Sequence, residues 1–203
     1  DIQVLGYIYG ADKNADQLSA TYDSNSNKVV IIYRRDAKGK GVVGTVNNTS
    51  ISFGTEAQFN IGNTSLTRCT FDSTSNKVIV GYKDGGNSFY GTSVVGTVSG
   101  TDISFGSEVV FESANTEKIS LAHHPVNNKT LFSYKASNTM KARVATVSGT
   151  GISFGDVVTF DSDTPYNTAQ RSSSAYNTLT GKVYVCYVPL SKDGTILPAT
   201  ISG

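Results

Sequence analysis

The chain has 203 residues, with 17 lysines and arginines against 16 aspartates and glutamates, a formal net charge of +1, and only 16% charged side chains. That balance excludes the basic stripe that tracks nucleic-acid phosphates, and no apolar run is long enough to span a membrane as a helix, so neither nucleic acid nor membrane insertion is expected. Twenty glycines, eleven tyrosines and no tryptophan, among many Ser, Thr and Asn, describe one β-rich, turn-rich domain able to bury roughly 70% of its unfolded surface.

The first residues, Asp1-Ile2-Gln3-Val4, lack the basic start and apolar core of a signal peptide. The segment Ile2 to Tyr9 reads as a strand without a repeat of its own. Beyond it the chain is periodic. The first strand of each period is Leu18 to Tyr22, Thr67 to Phe71, Ile119 to His123 and Ser172 to Tyr176. A polar turn of equal length follows in all four copies, Asp23-Ser24-Asn25-Ser26-Asn27 in the first, and equal turns imply an equal structural task. The second strand opens on Lys28, Lys77, Lys129 or Lys182, at spacings of 49, 52 and 53 residues, and ends in Tyr33, Tyr82, Tyr134 or Tyr187. Its apolar run does not alternate, so both faces must be covered, as in a sheet packed between two others.

The third strand closes on Val-Gly-Thr-Val (43–46 and 95–98), Val-Ala-Thr-Val (144–147) or Ala199-Thr200-Ile201. A short turn such as Ser99-Gly100-Thr101 leads into a fourth strand, Ile-Ser-Phe-Gly (51–54, 103–106, 152–155), that runs on to Phe59, Phe111 or Phe160. The last period lacks this fourth strand. A period near 50 with four short strands belongs to propellers. The expected fold is therefore all-β: a four-bladed β-propeller, four antiparallel strands per blade, forming a single domain over residues 1–203 with repeats at about 17–64, 65–116, 117–165 and 166–203. Residues 1–10 supply the missing strand beside Pro198 to Ile201, which closes the ring and removes its open edges.

In such a ring the connections from second to third strand and from fourth to first emerge on one face. The former are Arg34 to Lys40, Lys83 to Gly91, Lys135 to Lys141 and Pro189 to Ile196, and the latter range from 60–64 to 161–167. They differ in length and chemistry while the opposite turns do not, and divergent loops on a rigid scaffold are how binding surfaces are built. Arg34, Arg35, Lys83, Asp84, Tyr90, Lys135, Tyr166, Lys192 and Asp193 are the candidate ligand contacts, because Tyr, Asn, Asp and Arg together stack on a sugar face and bond its hydroxyls. Arg68, His123 and Arg171 are channel-lining candidates on the first strands, while His123 and His124, being adjacent on a strand, point to opposite faces and do not chelate one metal. Cys69 and Cys186 read as buried free thiols. No elbow serine, phosphate loop, zinc helix or Cys-x-x-Cys pair is present, so the sequence names no catalytic residue, no metal ligand and no cofactor.

The stretches Ser-Asn-Lys-Val-Ile-Val-Gly-Tyr-Lys-Asp (75–84) and Gly-Thr-Ser-Val-Val-Gly-Thr-Val-Ser-Gly-Thr-Asp-Ile-Ser-Phe-Gly-Ser-Glu-Val-Val-Phe (91–111) resemble propeller repeats of tailed-phage structural and fibre proteins, notably from aquatic environments, and of some bacterial surface proteins. The resemblance implies a fold and a virion or extracellular setting, and carries over no site residue. The expectation drawn from the sequence is a non-enzymatic binding or decoration module that recognises a glycan or cell-surface receptor through one propeller face. Its competitors are an architectural virion protein docking on other coat or tail subunits, and a hydrolase with carboxylates at the channel mouth.

Overall fold

The computed structural model describes residues 15–162, 172–189 and 194–202. Among these there are seventeen strands and no helix, and every pairing is antiparallel. The proposed closing strand, Ile2 to Tyr9, lies outside the described residues, as do Tyr166, Arg171, Lys192 and Asp193.

The periodicity of the sequence is the periodicity of the sheets. In the first repeat β1 (Ala15–Asp23), β2 (Lys28–Arg35) and β3 (Lys38–Asn47) pair in order, and β4 (Ser50–Phe53) and β5 (Ala57–Asn60) share the outer edge of β3. The second repeats this with β6 (Thr64–Asp72), β7 (Lys77–Asp84), β8 (Tyr90–Ser99) and β9 (Asp102–Phe105). The long β10 (Val109–His124) ends the second sheet and begins the third: its first half pairs with β8, its second with β11 (Lys129–Ala136), and the register breaks between Glu112 and Asn115. The third sheet continues through β12 (Thr139–Ser148), β13 (Gly151–Phe154) and β14 (Val158–Asp161). The fourth contains β15 (Ser173–Asn177), β16 (Lys182–Tyr187) and β17 (Thr195–Ala199). The fourth strand read from the sequence is thus broken into two segments in each complete repeat, the later one in the second repeat being the first half of β10. The expected loops Arg34 to Lys40 and Lys135 to Lys141 are strand almost throughout, turning on Asp36-Ala37 and Ser137-Asn138 alone.

The equal turns after the first strands do equal work. The Asp23 carboxylate accepts the backbone N–H groups of Asn25 and Ser26, Asp72 accepts those of Thr74 and Ser75, and the Asn177 amide oxygen accepts those of Leu179 and Thr180, at 2.8–3.1 Å. In the third repeat His124 takes this position, and its Nδ1 accepts the N–H of Asn127 at 3.2 Å. Each turn then ends on a left-handed residue, Asn27, Asn76, Asn128 or Gly181, types that tolerate that conformation. The lysine that opens each of the first three second strands crosses to a threonine on the third: Lys28 to Thr45, Lys77 to Thr97 and Lys129 to Thr146, at 2.8–3.0 Å.

Successive sheets stack face to face, which is why the second strands carry no alternation. Val30, Ile32, Val43 and Phe59 of the first sheet bury against Val78, Val80, Tyr82 and Val94 of the second. Ile79, Val95 and Phe111 bury against Phe132, Tyr134 and Ala145 of the third. Ala122 and Leu131 meet Val183, Val185 and Ile201 of the fourth. The three aromatic residues ending the fourth strands each insert into the next sheet: Phe59 lies 5.1 Å from Tyr82, Phe111 5.0 Å from Tyr134, and Phe160 5.3 Å from Tyr187, between ring centroids.

The innermost strands β1, β6, β10 and β15 adjoin in that order. Each of the first three carries a bulge whose extra residue is left-handed, at Gln17, Leu66 and Lys118. The bulges link neighbours: Leu66 N–H donates to Gln17 Oε1 at 2.9 Å, Thr67 Oγ1 donates to the Gln17 carbonyl, and Ser172 Oγ to the Lys118 carbonyl.

Among the described residues the stack between the third and fourth sheets leaves a gap. A half-open cavity of about 290 Å³ lies there, walled by Leu131, Ala142, Val144 and Phe160 on one side and Val185, Leu197, Ala199 and Ile201 on the other. Between the first and second sheets the equivalent space holds Phe105, an outer-strand aromatic that lies against Gly41. The cysteines are free as expected, but not both buried: Cys69 is half-buried, with burial raising its thiol pKa to about 11, and Cys186 is exposed.

Candidate functional site

The variable connections of the first two repeats meet on one face and are tied together by backbone. Thr64 N–H donates to the Ala37 carbonyl at 2.7 Å, Gly85 N–H to Asn63 at 2.6 Å, and Thr116 N–H to Phe89 at 3.0 Å. The loops at 60–63 and 85–89 therefore form one rigid surface. Gly62 and Gly86 approach so closely there that a Cβ on Gly62 would lie 3.1 Å from the Gly86 Cα.

The sequence-derived contacts fare unevenly. Lys135 is 2% exposed rather than a solvent-facing loop residue, because the strand continues past it, and its ammonium lies 3.8 Å from the Glu117 carboxylate. Asp84 is also buried, at 6% exposure, and accepts the Gly86 N–H at 2.9 Å, holding the turn. Arg34 forms a two-pronged pair with Asp16, which raises its already high pKa chiefly through the hydrogen bond. Arg35 and Lys40 converge on Glu56, which also accepts the Tyr33 hydroxyl at 2.6 Å. Tyr90 is half-buried in β8. Of the described candidates, Lys83 is the cation held near solvent without a carboxylate, its ammonium 5.0 Å from the centre of the Phe89 ring.

Phe89 is the residue that sequence reasoning missed. It is 48% exposed and sits at φ 61°, after Ser88 at φ 53°. A bulky residue there is a conformational outlier costing about 1–2 kcal/mol. Asp36-Ala37 and Ser137-Asn138 occupy the corresponding left-handed turns, so the conformation belongs to the scaffold and the exposed ring is this loop's own addition. The signal was available: an aromatic next to Tyr90, in the longest described connection of its kind. Ile61, 82% exposed, lies on the adjoining 60–63 loop.

Of the channel-lining candidates His123 is corrected, while Arg171 lies outside the described residues. His123 is buried between the second and third sheets, where Nε2 lies 3.4 Å from Asp72 and Nδ1 3.2 Å from Thr130 Oγ1. Burial lowers its pKa, Asp72 opposes that, and His124 adds to it. His124 points the other way, as expected for its neighbour on a strand. The N–H of Asn127 occupies Nδ1, so Nε2 carries the hydrogen donated to the Gly181 carbonyl at 3.1 Å. Arg68 turns Nη1 onto the Thr67 carbonyl at 2.7 Å. Among the described residues no group of three acidic, His or Cys side chains is placed to hold a metal.

No protein-family model matches the sequence, and a search of curated proteins returns no match. Solved structures do match, at low identity. An exo-β-1,3-galactanase from Phanerochaete chrysosporium, crystallised with β-1,3-galactotriose, aligns with a TM-score of 0.58 and 8% identity over 98% of this chain and 49% of its own. A protein from Lactobacillus plantarum aligns at 0.56 and 11% identity over 89% and 54%. A leech intramolecular trans-sialidase, in complex with 2,7-anhydro-Neu5Ac, aligns at 0.54 and 12% identity over 83% and 27%. The chain spans about half the length of the first two and about a quarter of the third. These matches establish a propeller-like all-β fold. They also correct the expectation of a non-enzymatic module: a galactanase and a trans-sialidase share the fold, so the scaffold does not set this chain apart from enzymes and that reading is withdrawn.

Proposed function

We propose that this chain is a carbohydrate-binding β-propeller whose ligand rests on the face formed by the loops at 60–63 and 85–89. The observation that carries the reading is Phe89: a half-exposed ring, held in a strained conformation by a turn anchored to both neighbouring repeats, beside a solvent-accessible cation. An aromatic face receives the C–H face of a pyranose, and the surrounding Asn and Lys groups hydrogen-bond its hydroxyls. The carbohydrate-acting neighbours support this at the level of fold alone. Repeats resembling phage and surface-protein segments support display on a virion or outside a cell.

The same reading takes the four repeats as four blades, the ring being closed by Ile2 to Tyr9 pairing along β17. Removing residues 1–10 is then expected to lower the thermal midpoint by several degrees. An unchanged midpoint would show that the segment plays no part in closure.

An architectural docking role requires a contiguous apolar patch. Among the described residues the large exposed apolar side chains are instead spread over many elements: Leu18 and Tyr22 on β1, Val46 on β3, Ile61 and Phe89 on the loop face, Val110 on β10, Val126 and Leu179 in the turns of the opposite face, Val157 and Val158 at β14, and Ile196 on β17. A glycan-array screen of the native chain and of Phe89→Ala tests the proposal. Binding by the native chain that falls at least tenfold in the variant, about 1.4 kcal/mol, is the expected result. Undiminished binding by the variant would move the site away from this loop.

A further inference from the structure

The first three repeats place a basic residue at the same point, near the end of the second strand, and the register of each sheet shows what faces it. Arg34 stands opposite Asp16 on the first strand and is hydrogen-bonded to it. Lys135 stands opposite Glu117, with its ammonium 3.8 Å from the carboxylate. Lys83 stands opposite Ser65. The second repeat keeps the cation and lacks the acid.

On its other side Lys83 faces Gly91, which presents no side chain. The nearest carboxylate in sequence, Asp84, leaves the strand on the opposite side and is engaged by the Gly86 N–H. Among the described residues Lys83 makes no ion pair, and its ammonium is instead carried over the Phe89 ring.

Resting on the carbohydrate reading above, we propose that the ligand of this face contains an anionic sugar residue, whose carboxylate or sulfate pairs with Lys83 while its ring stacks on Phe89. The bound anion occupies the role that Asp16 and Glu117 play in the neighbouring repeats. Charge-assisted hydrogen bonding from a half-exposed ammonium is expected to favour the acidic ligand about tenfold over its neutral counterpart.

The test measures the affinity of the full chain for matched sialylated, uronate-containing, sulfated and neutral oligosaccharides, using the native protein, Lys83→Gln, Lys83→Arg and Phe89→Ala. The expected result is a preference for one of the anionic classes that falls to parity in Lys83→Gln, persists in Lys83→Arg, and shrinks as salt is raised; Phe89→Ala weakens both charge classes alike. Which anionic class binds identifies the group as carboxylate or sulfate. Neutral sugars bound as tightly as acidic ones, or a preference that survives in Lys83→Gln, would overturn the inference and leave the carbohydrate reading standing. Failure of the folded native chain to bind any of the four classes would overturn that reading and the inference with it.

Discussion

Replacing Phe111 with alanine is expected to destabilise the protein by about 3–5 kcal/mol, the range for removing a buried aromatic side chain. Phe111 is 1% exposed and comes from the last strand of the second sheet, yet its ring neighbours are Phe132, Tyr134 and Phe154 of the third, at centroid separations of 5.2, 5.0 and 5.7 Å. It is the side chain by which one repeat is keyed into the next. The equivalent Phe160→Ala should cost less, because Phe160 is only half-buried and borders the cavity between the third and fourth sheets. Denaturant midpoints with unchanged slopes would provide the comparison. A loss below about 1 kcal/mol for Phe111→Ala, against the cited range, or equal losses at the two positions, would contradict this account of the stacking.

The second large effect belongs to a glycine whose importance lies in its neighbour. Gly54 donates its N–H to the Val43 carbonyl at 2.9 Å, and Gly106 and Gly155 do the same to Val95 and Val144. A methyl group on Gly54 would overlap the backbone carbonyl of Thr101, in the turn of the following sheet, and one on Gly106 would overlap that of Thr150. Backbone cannot swing aside as a side chain can, so Gly54→Ala and Gly106→Ala must push two sheets apart, at a cost of about 3 kcal/mol, the upper end for overpacking. At Gly155 the closest atom would be the Val144 carbonyl oxygen, at an ordinary 3.7 Å. Gly155→Ala is therefore expected to stay within about 0.5 kcal/mol of the native chain. Thermal melts of the three variants would separate the cases, and equal behaviour would show that the Ile-Ser-Phe-Gly glycines serve strand conformation rather than sheet spacing.

These glycines also show what the sequence could and could not convey. Their recurrence, with that of the Lys-led apolar runs and the Asp or Asn turns, made the number and order of sheets legible, since each feature is a local solution repeated at one period. The clearances around Gly54 and Gly155 depend on which turn lies opposite, and no local signal encodes that. The same limit applies to the bulges at Gln17, Leu66 and Lys118 and the turns at Asp36-Ala37 and Ser88-Phe89. Ordinary residues there adopt left-handed backbone that would have been expected of glycine or asparagine, because the neighbouring strands impose it.

The candidate site was legible as a face and not as a set of residues. Divergent loop lengths single out the candidate face, but charge alone could not distinguish a cation facing solvent from one committed to the scaffold. Lys135 and Arg34 looked like ligand contacts and are paired across strands with Glu117 and Asp16. Only the register places Ser65 opposite Lys83 and so distinguishes that lysine from the other two. Nothing in the sequence separates Phe89 from its neighbour Tyr90, which is half-buried in strand β8.

The most direct test of the loop-face assignment is hydrogen–deuterium exchange of the native chain with and without a saturating oligosaccharide found by the array screen. Slowed exchange confined to peptides covering 60–64 and 83–91, with the turns at 24–27 and 73–76 unchanged, is the predicted footprint. Protection of those turns, with the loops unaffected, would place the ligand on the opposite face and contradict the account.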